Sequence, residues 1–133
     1  MTSHLYSLLV VDDNEMNRDL LTRRLERQGY QVTVAVDGLQ ALEILDQADF
    51  DLILLDIMLP VMNGYQVLEH LKADESLSQV PVIIATSLDE AAGKARCMAL
   101  GAEDYLTKPF NPVMLKSRIR DCLARHNRAL TQP

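Results

Sequence analysis

The chain has 133 residues, 48% apolar and 24% charged, which suits one domain with a real hydrophobic core. Its net charge of -6 and pI near 4.9 argue against non-specific nucleic-acid binding, which needs a basic footprint, and against docking on anionic lipid. Residues 1–7 are too short and polar for a signal peptide, and no apolar run approaches the roughly 20 residues of a membrane span, so a soluble, cytoplasmic protein with no nucleic-acid or membrane partner is expected.

Two kinds of segment alternate along the chain. Residues 8–11 form a short apolar run that ends in Asp12 and Asp13. A helical stretch follows, with Leu20, Leu21 and Leu25 on one face, Arg18, Arg23 and Arg24 elsewhere, and Gly29 in the left-handed stop position. Residues 32–36 make the second run, which ends near the turn residues Asp37 and Gly38. The second helical stripe is Ala41, Leu42, Leu45 and Ala48. The third run, 52–55, ends in Asp56. Ile57, Met58, Leu59 and Pro60 come next, so no helix begins directly there. Gly64 is expected to permit the turn into the third helix, whose stripe is Val67, Leu68 and Leu71.

The fourth run, 82–85, ends in Thr86 and Ser87. It precedes a stripe of Ala91, Ala95, Met98 and Ala99, stopped by Gly101. Tyr105 and Leu106 mark a weaker fifth strand, with Lys108 at its end. Asn111 and Pro112 read as an N-cap with proline at the first helical position, opening a helix striped by Leu115, Ile119, Cys122 and Leu123. Residues 1–126 are read as the domain and 127–133 as a loose tail.

Five strand-helix repeats with continuous, β-branched or aliphatic strands imply an α/β fold, (βα)5, with a doubly wound five-stranded parallel sheet. Ligands of such sheets sit at the carboxyl ends of the strands. Asp12, Asp13, Asp56, Thr86 and Lys108 all stand there, and they converge if the first, third, fourth and fifth strands are adjacent. Taken singly, each is a helix cap or a solvated strand end; together they are poorly explained that way. Three carboxylates repel by about 4 kcal/mol per pair at 4 Å and an effective dielectric of 20, so the cluster calls for a cation. Magnesium prefers one or two carboxylates, water and phosphate oxygens. Lys108 suits a phosphoryl oxygen, and aspartate is a known nucleophile in phosphoryl transfer.

Four pieces in order, Val10-Val11-Asp12-Asp13, Leu54-Leu55-Asp56 with Pro60 and Gly64, Thr86-Ser87, and Tyr105-Leu106-Thr107-Lys108-Pro109-Phe110, make the chain resemble the CheY-like receiver domains of two-component response regulators over about residues 8–125. The resemblance implies strand order 2-1-3-4-5 and a phosphoprotein that takes a phosphoryl group from a histidine kinase or histidine phosphotransfer protein. Asp56 would be the phosphoacceptor, and Mg2+ would be held by Asp12, Asp13, Asp56 and the backbone carbonyl of Met58. Lys108 would hold a phosphoryl oxygen, Thr86 and Tyr105 would switch, the Lys108-Pro109 bond would be cis, and a downstream protein would read the result. Such a domain is not a conventional enzyme, although it catalyses its own phosphorylation and dephosphorylation. Kinase docking would use Asn14, Glu15 and Arg18 with the nearby loop of Pro109 and Phe110, the latter an anchor if exposed. Met58 and Leu88 would flank the phosphoryl group. Both are apolar and cannot orient an attacking water, so slow self-dephosphorylation is expected.

A dehalogenase-type phosphohydrolase would need an aspartate where Met58 stands. A flavin carrier would need a phosphate-cradling loop where Asp12, Asp13, Asn14 and Glu15 would repel one. The chain reads equally as a single-domain regulator or as a receiver from a hybrid kinase or multidomain regulator; the alternative is a phosphate-independent binding module of the same fold. Cys97 and Cys122 are read as small hydrophobes on helix faces, without a metal-ligand neighbour at useful spacing. His4, His70 and His126 are read as surface residues.

Overall fold

Aliphatic runs too short for helices become strands, and the amphipathic stretches between them become the crossovers. The computed structural model describes residues 5–88, 90–109 and 111–131. The elements are β1 (Ser7–Val11), α1 (Glu15–Arg27), β2 (Gln31–Ala35), α2 (Gly38–Leu45), β3 (Leu52–Leu55), α3 (Gly64–Ala73), β4 (Val82–Thr86), α4 (Ala91–Ala99), β5 (Asp104–Thr107) and α5 (Pro112–Thr131). Among the described residues the strands form one parallel sheet in the order β2-β1-β3-β4-β5.

Successive strand residues point to opposite faces, and this splits the apolar runs between two cores. Leu9, Val11, Ile53, Leu55, Val82 and Ile84 pack with α2, α3 and α4 on one side. Leu8, Val10, Leu52, Leu54, Ile83 and Leu106 pack with Leu21 and Leu25 of α1 and with Leu115, Ile119, Cys122 and Leu123 of α5 on the other. Each fully buried Leu or Ile contributes roughly 1.5–3 kcal/mol relative to exposure.

The helix ends are built from local chemistry. Asn14, Asp37 and Asn63 accept N–H bonds as N-caps, and Asn63 and Gln66 complete a capping box. Asn111 Oδ1 accepts from Val113 N–H at 2.8 Å and Met114 N–H at 3.3 Å. Gly29 and Gly101 take positive φ after α1 and α4, as their positions predicted.

Four expectations need correction. The second strand is an edge, and of its residues only Ala35 is buried, because β2 has a neighbour on one side alone. Leu20 is half exposed, since its partners Leu21 and Leu25 already fill the face of α1 turned to the sheet. In α4 the inward residues are Gly93 and Cys97, while Ala91, Ala95, Met98 and Ala99 are exposed. Ala48 lies beyond the end of α2 and is exposed. No glycine or proline interrupts the chain between Pro112 and Pro133, and helical backbone continues through Thr131.

Candidate functional site

Parallel register does the positioning. Val11 pairs with Leu55, so the next residues, Asp12 and Asp56, leave neighbouring strands side by side. Asp56 N–H donates to Val11 O at 3.0 Å, which extends the ladder one residue further. Leu55 pairs with Ile84 and Thr86 with Thr107, so Thr86 and Lys108 stand at the same edge. Lys108 N–H donates to Thr86 O at 2.7 Å. Strands lie about 4.8 Å apart, so β5 sits roughly 10 Å from β3, within reach of a lysine after the chain turns. The Lys108-Pro109 peptide is cis.

Asp12 and Asp56 are buried, 2% and 6% exposed, and Asp13 is exposed at the mouth. One carboxylate oxygen from each of the three lies within 4.8 Å of the others. Lys108 Nζ donates to Asp56 Oδ2 at 3.0 Å and also to Asp12 Oδ2. Asp12 Oδ1 accepts from Asn14 N–H at 2.9 Å, and Asp56 Oδ1 from Met58 N–H at 3.1 Å. Burial works against the charge on Lys108, but the hydrogen bonds and charges of Asp12 and Asp56 outweigh it and leave the ammonium pKa raised. Three carboxylates against one ammonium leave an excess of negative charge, and no protein donor among the described residues holds Asp13. An all-oxygen donor set with that charge fits a small hard dication such as magnesium.

Thr86 is fully buried, and its Oγ1 accepts from Leu88 N–H at 3.3 Å. Tyr105 is turned inward, 8% exposed, and its hydroxyl donates to Leu88 O. Thr86 and Tyr105 therefore grip the N–H and the carbonyl of one residue. The Leu88 side chain packs with the core and points toward Gly93 of α4. Met58 is more than half exposed, with its sulfur 3.9 Å from the Ser87 hydroxyl.

The loop after Asp56 is held tightly. Met62 N–H donates to Pro60 O at 2.7 Å around Val61, whose φ of 68° is strained for a β-branched residue. Gly64 N–H donates to Ile57 O at 2.8 Å. A Cβ on Gly64 would overlap the Asp56 carbonyl oxygen and lie 2.6 Å from Ile57 Cα. Gly64 has no positive φ, so it serves close backbone approach rather than the turn the sequence suggested.

Beside this edge lies a groove of about 380 Å³ lined by Asn17, Leu20, Arg24, Ser87, Lys108 and Pro109. Sequence reading missed it, because Leu20 was assigned to the core. Arg18 Nη1 donates to Asp12 O at 2.9 Å. Phe110, the expected docking anchor, and His4 lie outside the described residues.

A five-stranded parallel sheet in this order, with acids, a threonine and a lysine at the carboxyl ends of its strands, is the arrangement of a receiver domain. The pattern described as the response regulator receiver domain matches residues 8–120, and the chain belongs to that family. It is 39% identical over 121 residues to the DNA-binding dual master transcriptional regulator RpaA of Synechocystis, covering 91% of this chain and 50% of that protein. Among solved structures, a CheY-like receiver domain protein from Methanospirillum hungatei superposes with a TM-score of 0.88 at 30% identity, covering 95% of this chain and 99% of that one. The receiver domain of a Pseudomonas aeruginosa sensor histidine kinase, which has a magnesium ion coordinated in the active site cleft, gives 0.83 at 31% identity and covers 91% and 99%.

The chain spans about half the length of the curated relatives it matches. The exclusion of nucleic acid is therefore not supported beyond these 133 residues, since RpaA is DNA-binding. No helix among the described residues is long and apolar enough to cross a membrane.

Proposed function

We propose that Asp56 is the phosphoacceptor of this receiver domain, taking its phosphoryl group from a phosphohistidine on a kinase or phosphotransfer protein. The observation that carries this is the buried Asp56 carboxylate, set beside Asp12 and Asp13 and bridged by Lys108. An Asp56 carboxylate oxygen forms the new bond to phosphorus, and the bond to the histidine nitrogen breaks. Asp12, Asp13, Asp56 and the Met58 carbonyl would hold Mg2+, which when bound neutralises charge on the transferring oxygens. Lys108 exchanges a carboxylate partner for a phosphoryl oxygen.

The new group carries roughly -1.5 to -2 charge if it resembles other phosphorylated side chains. The Thr86 hydroxyl leaves Leu88 N–H for that charge, and because Tyr105 grips the same residue, the switch travels from Thr86 to Tyr105. The state that binds the phosphoryl group better gains population by that difference alone. A kinase would dock on Asn14, Glu15 and Arg18 beside the groove under Pro109, and a downstream protein would read the switched face. The domain, residues 1–126, works in the cytoplasm as a single-domain regulator or as the receiver of a hybrid kinase or multidomain regulator. It is a switch rather than a conventional enzyme.

The test is intact-protein mass after incubation with acetyl phosphate and magnesium, for the wild-type chain and Asp56→Ala. One added phosphoryl group in wild type, lost with EDTA and absent in the variant, is expected. A folded wild-type chain that gains nothing from acetyl phosphate or from histidine kinases would instead be a phosphate-independent binding module.

A further inference from the structure

A second group of metal-ligating side chains lies at the opposite end of the sheet. Glu103 precedes β5, and its N–H donates to Val82 O at 2.8 Å, at the amino end of β4. Cys122 and His126 are four residues apart on α5 and so share one helix face. One ligand atom from each of the three lies within 4.8 Å of the others. His126 Nε2 is already 2.9 Å from Glu103 Oε1. Cys122 is buried, whereas Glu103 and His126 keep about 31% of their side-chain surface exposed, so the thiol forms the floor of a site that opens to solvent.

We propose that Glu103, Cys122 and His126 form a metal site for zinc or a similar borderline divalent cation. The donor set decides the class: thiolate and imidazole select zinc, cobalt or nickel, while magnesium takes oxygen ligands. The acidic pocket at the other end of the sheet has the reverse preference, so one chain would sort two kinds of cation. Arg125 Nη2 lies 3.6 Å from Glu103 Oε2, on the oxygen that does not face His126, and holds the carboxylate in the way outer partners orient metal ligands. On binding, Cys122 releases its thiol proton to solvent and His126 coordinates through Nε2 with its proton on Nδ1. Thiolate and carboxylate together neutralise the dication. Three protein ligands leave a fourth position for water. The ion would clamp α5 to the start of β5, and α5 supplies four of the core residues on its side of the sheet.

Titration of the full chain with cobalt(II), in excess magnesium to saturate the acidic pocket, tests this. Wild type is expected to bind one equivalent with a thiolate-to-cobalt charge-transfer band that zinc abolishes. Cys122→Ser and His126→Ala should lose the band, and Glu103→Gln should weaken binding about tenfold or more. Cys97→Ser and Asp56→Asn should keep it. Circular dichroism establishes that each variant is folded; if Cys122→Ser is not, the half-exposed positions 103 and 126 carry the test. No band in wild type, or a band that survives His126→Ala, would overturn the proposal.

Discussion

Gly64 stands where a side chain would collide with the backbone that carries Asp56. Gly64→Ala must push the loop away or bend it, and overpacking of this kind costs about 1–3 kcal/mol. Urea unfolding should show a loss in that range, and phosphorylation by acetyl phosphate should slow because the Asp56 carbonyl has moved. Unchanged stability together with an unchanged rate would mean the loop yields freely. Met58 bears on the lifetime of the product. Its sulfur stands near Ser87, and its side chain offers no group to orient water. The phosphorylated protein should decay over minutes or longer in a purified-protein assay, and Met58→Asn should shorten that. Decay of wild type within seconds would contradict this account. The Leu88 side chain packs against the core and toward Gly93 of α4, and like Met58 it carries no group to orient water.

At the scale of elements, α5 depends on its cap. Asn111 Oδ1 satisfies two of the amides that α5 leaves without helical partners, and truncation of such caps typically costs about 1 kcal/mol. Asn111→Ala should therefore lower the urea midpoint by about 0.3–1 M, that energy divided by an unchanged slope; no shift would show that water replaces the side chain fully. The helix is also tied to β5 through Arg118 and Asp104 at 2.6 Å. α4 shows where periodicity misleads. Its stripe of alanines and Met98 has the right spacing, yet Gly93 and Cys97 face inward. Small side chains carry little hydrophobic contrast, so the inward face is chosen by what fits. A Cβ at Gly93 would come within 3.0 Å of the Tyr65 hydroxyl, and Arg96 stacks 3.8 Å over the Tyr65 ring.

For the whole molecule, the acidic edge should couple to global stability. A ligand that binds only the folded state stabilises it by about 2.7 kcal/mol at a hundred times its Kd. Magnesium should thus raise the thermal midpoint progressively with concentration. Asp13→Asn, which removes the exposed carboxylate without opening the core, should flatten that response. A wild-type midpoint indifferent to magnesium would argue against a site assembled by the fold.

The strands and the four segments bearing Asp12, Asp13, Asp56, Thr86 and Lys108 were legible in the sequence, and the strand order came from the family resemblance those segments carry. Parallel strands buried on both faces read as continuous aliphatic runs, and functional residues of such sheets collect at one edge. Burial of a strand at the sheet's rim, the inward face of α4 and the role of Gly64 were decided only by tertiary contact. Each depends on which neighbour arrives, and local spacing carries no record of that. The same holds for Glu103, Cys122 and His126. The four-residue spacing of Cys122 and His126 is present in the sequence and was passed over when Cys122 was read as having no ligand neighbour; Glu103 belongs to another element, and the sheet had to form before the three could meet.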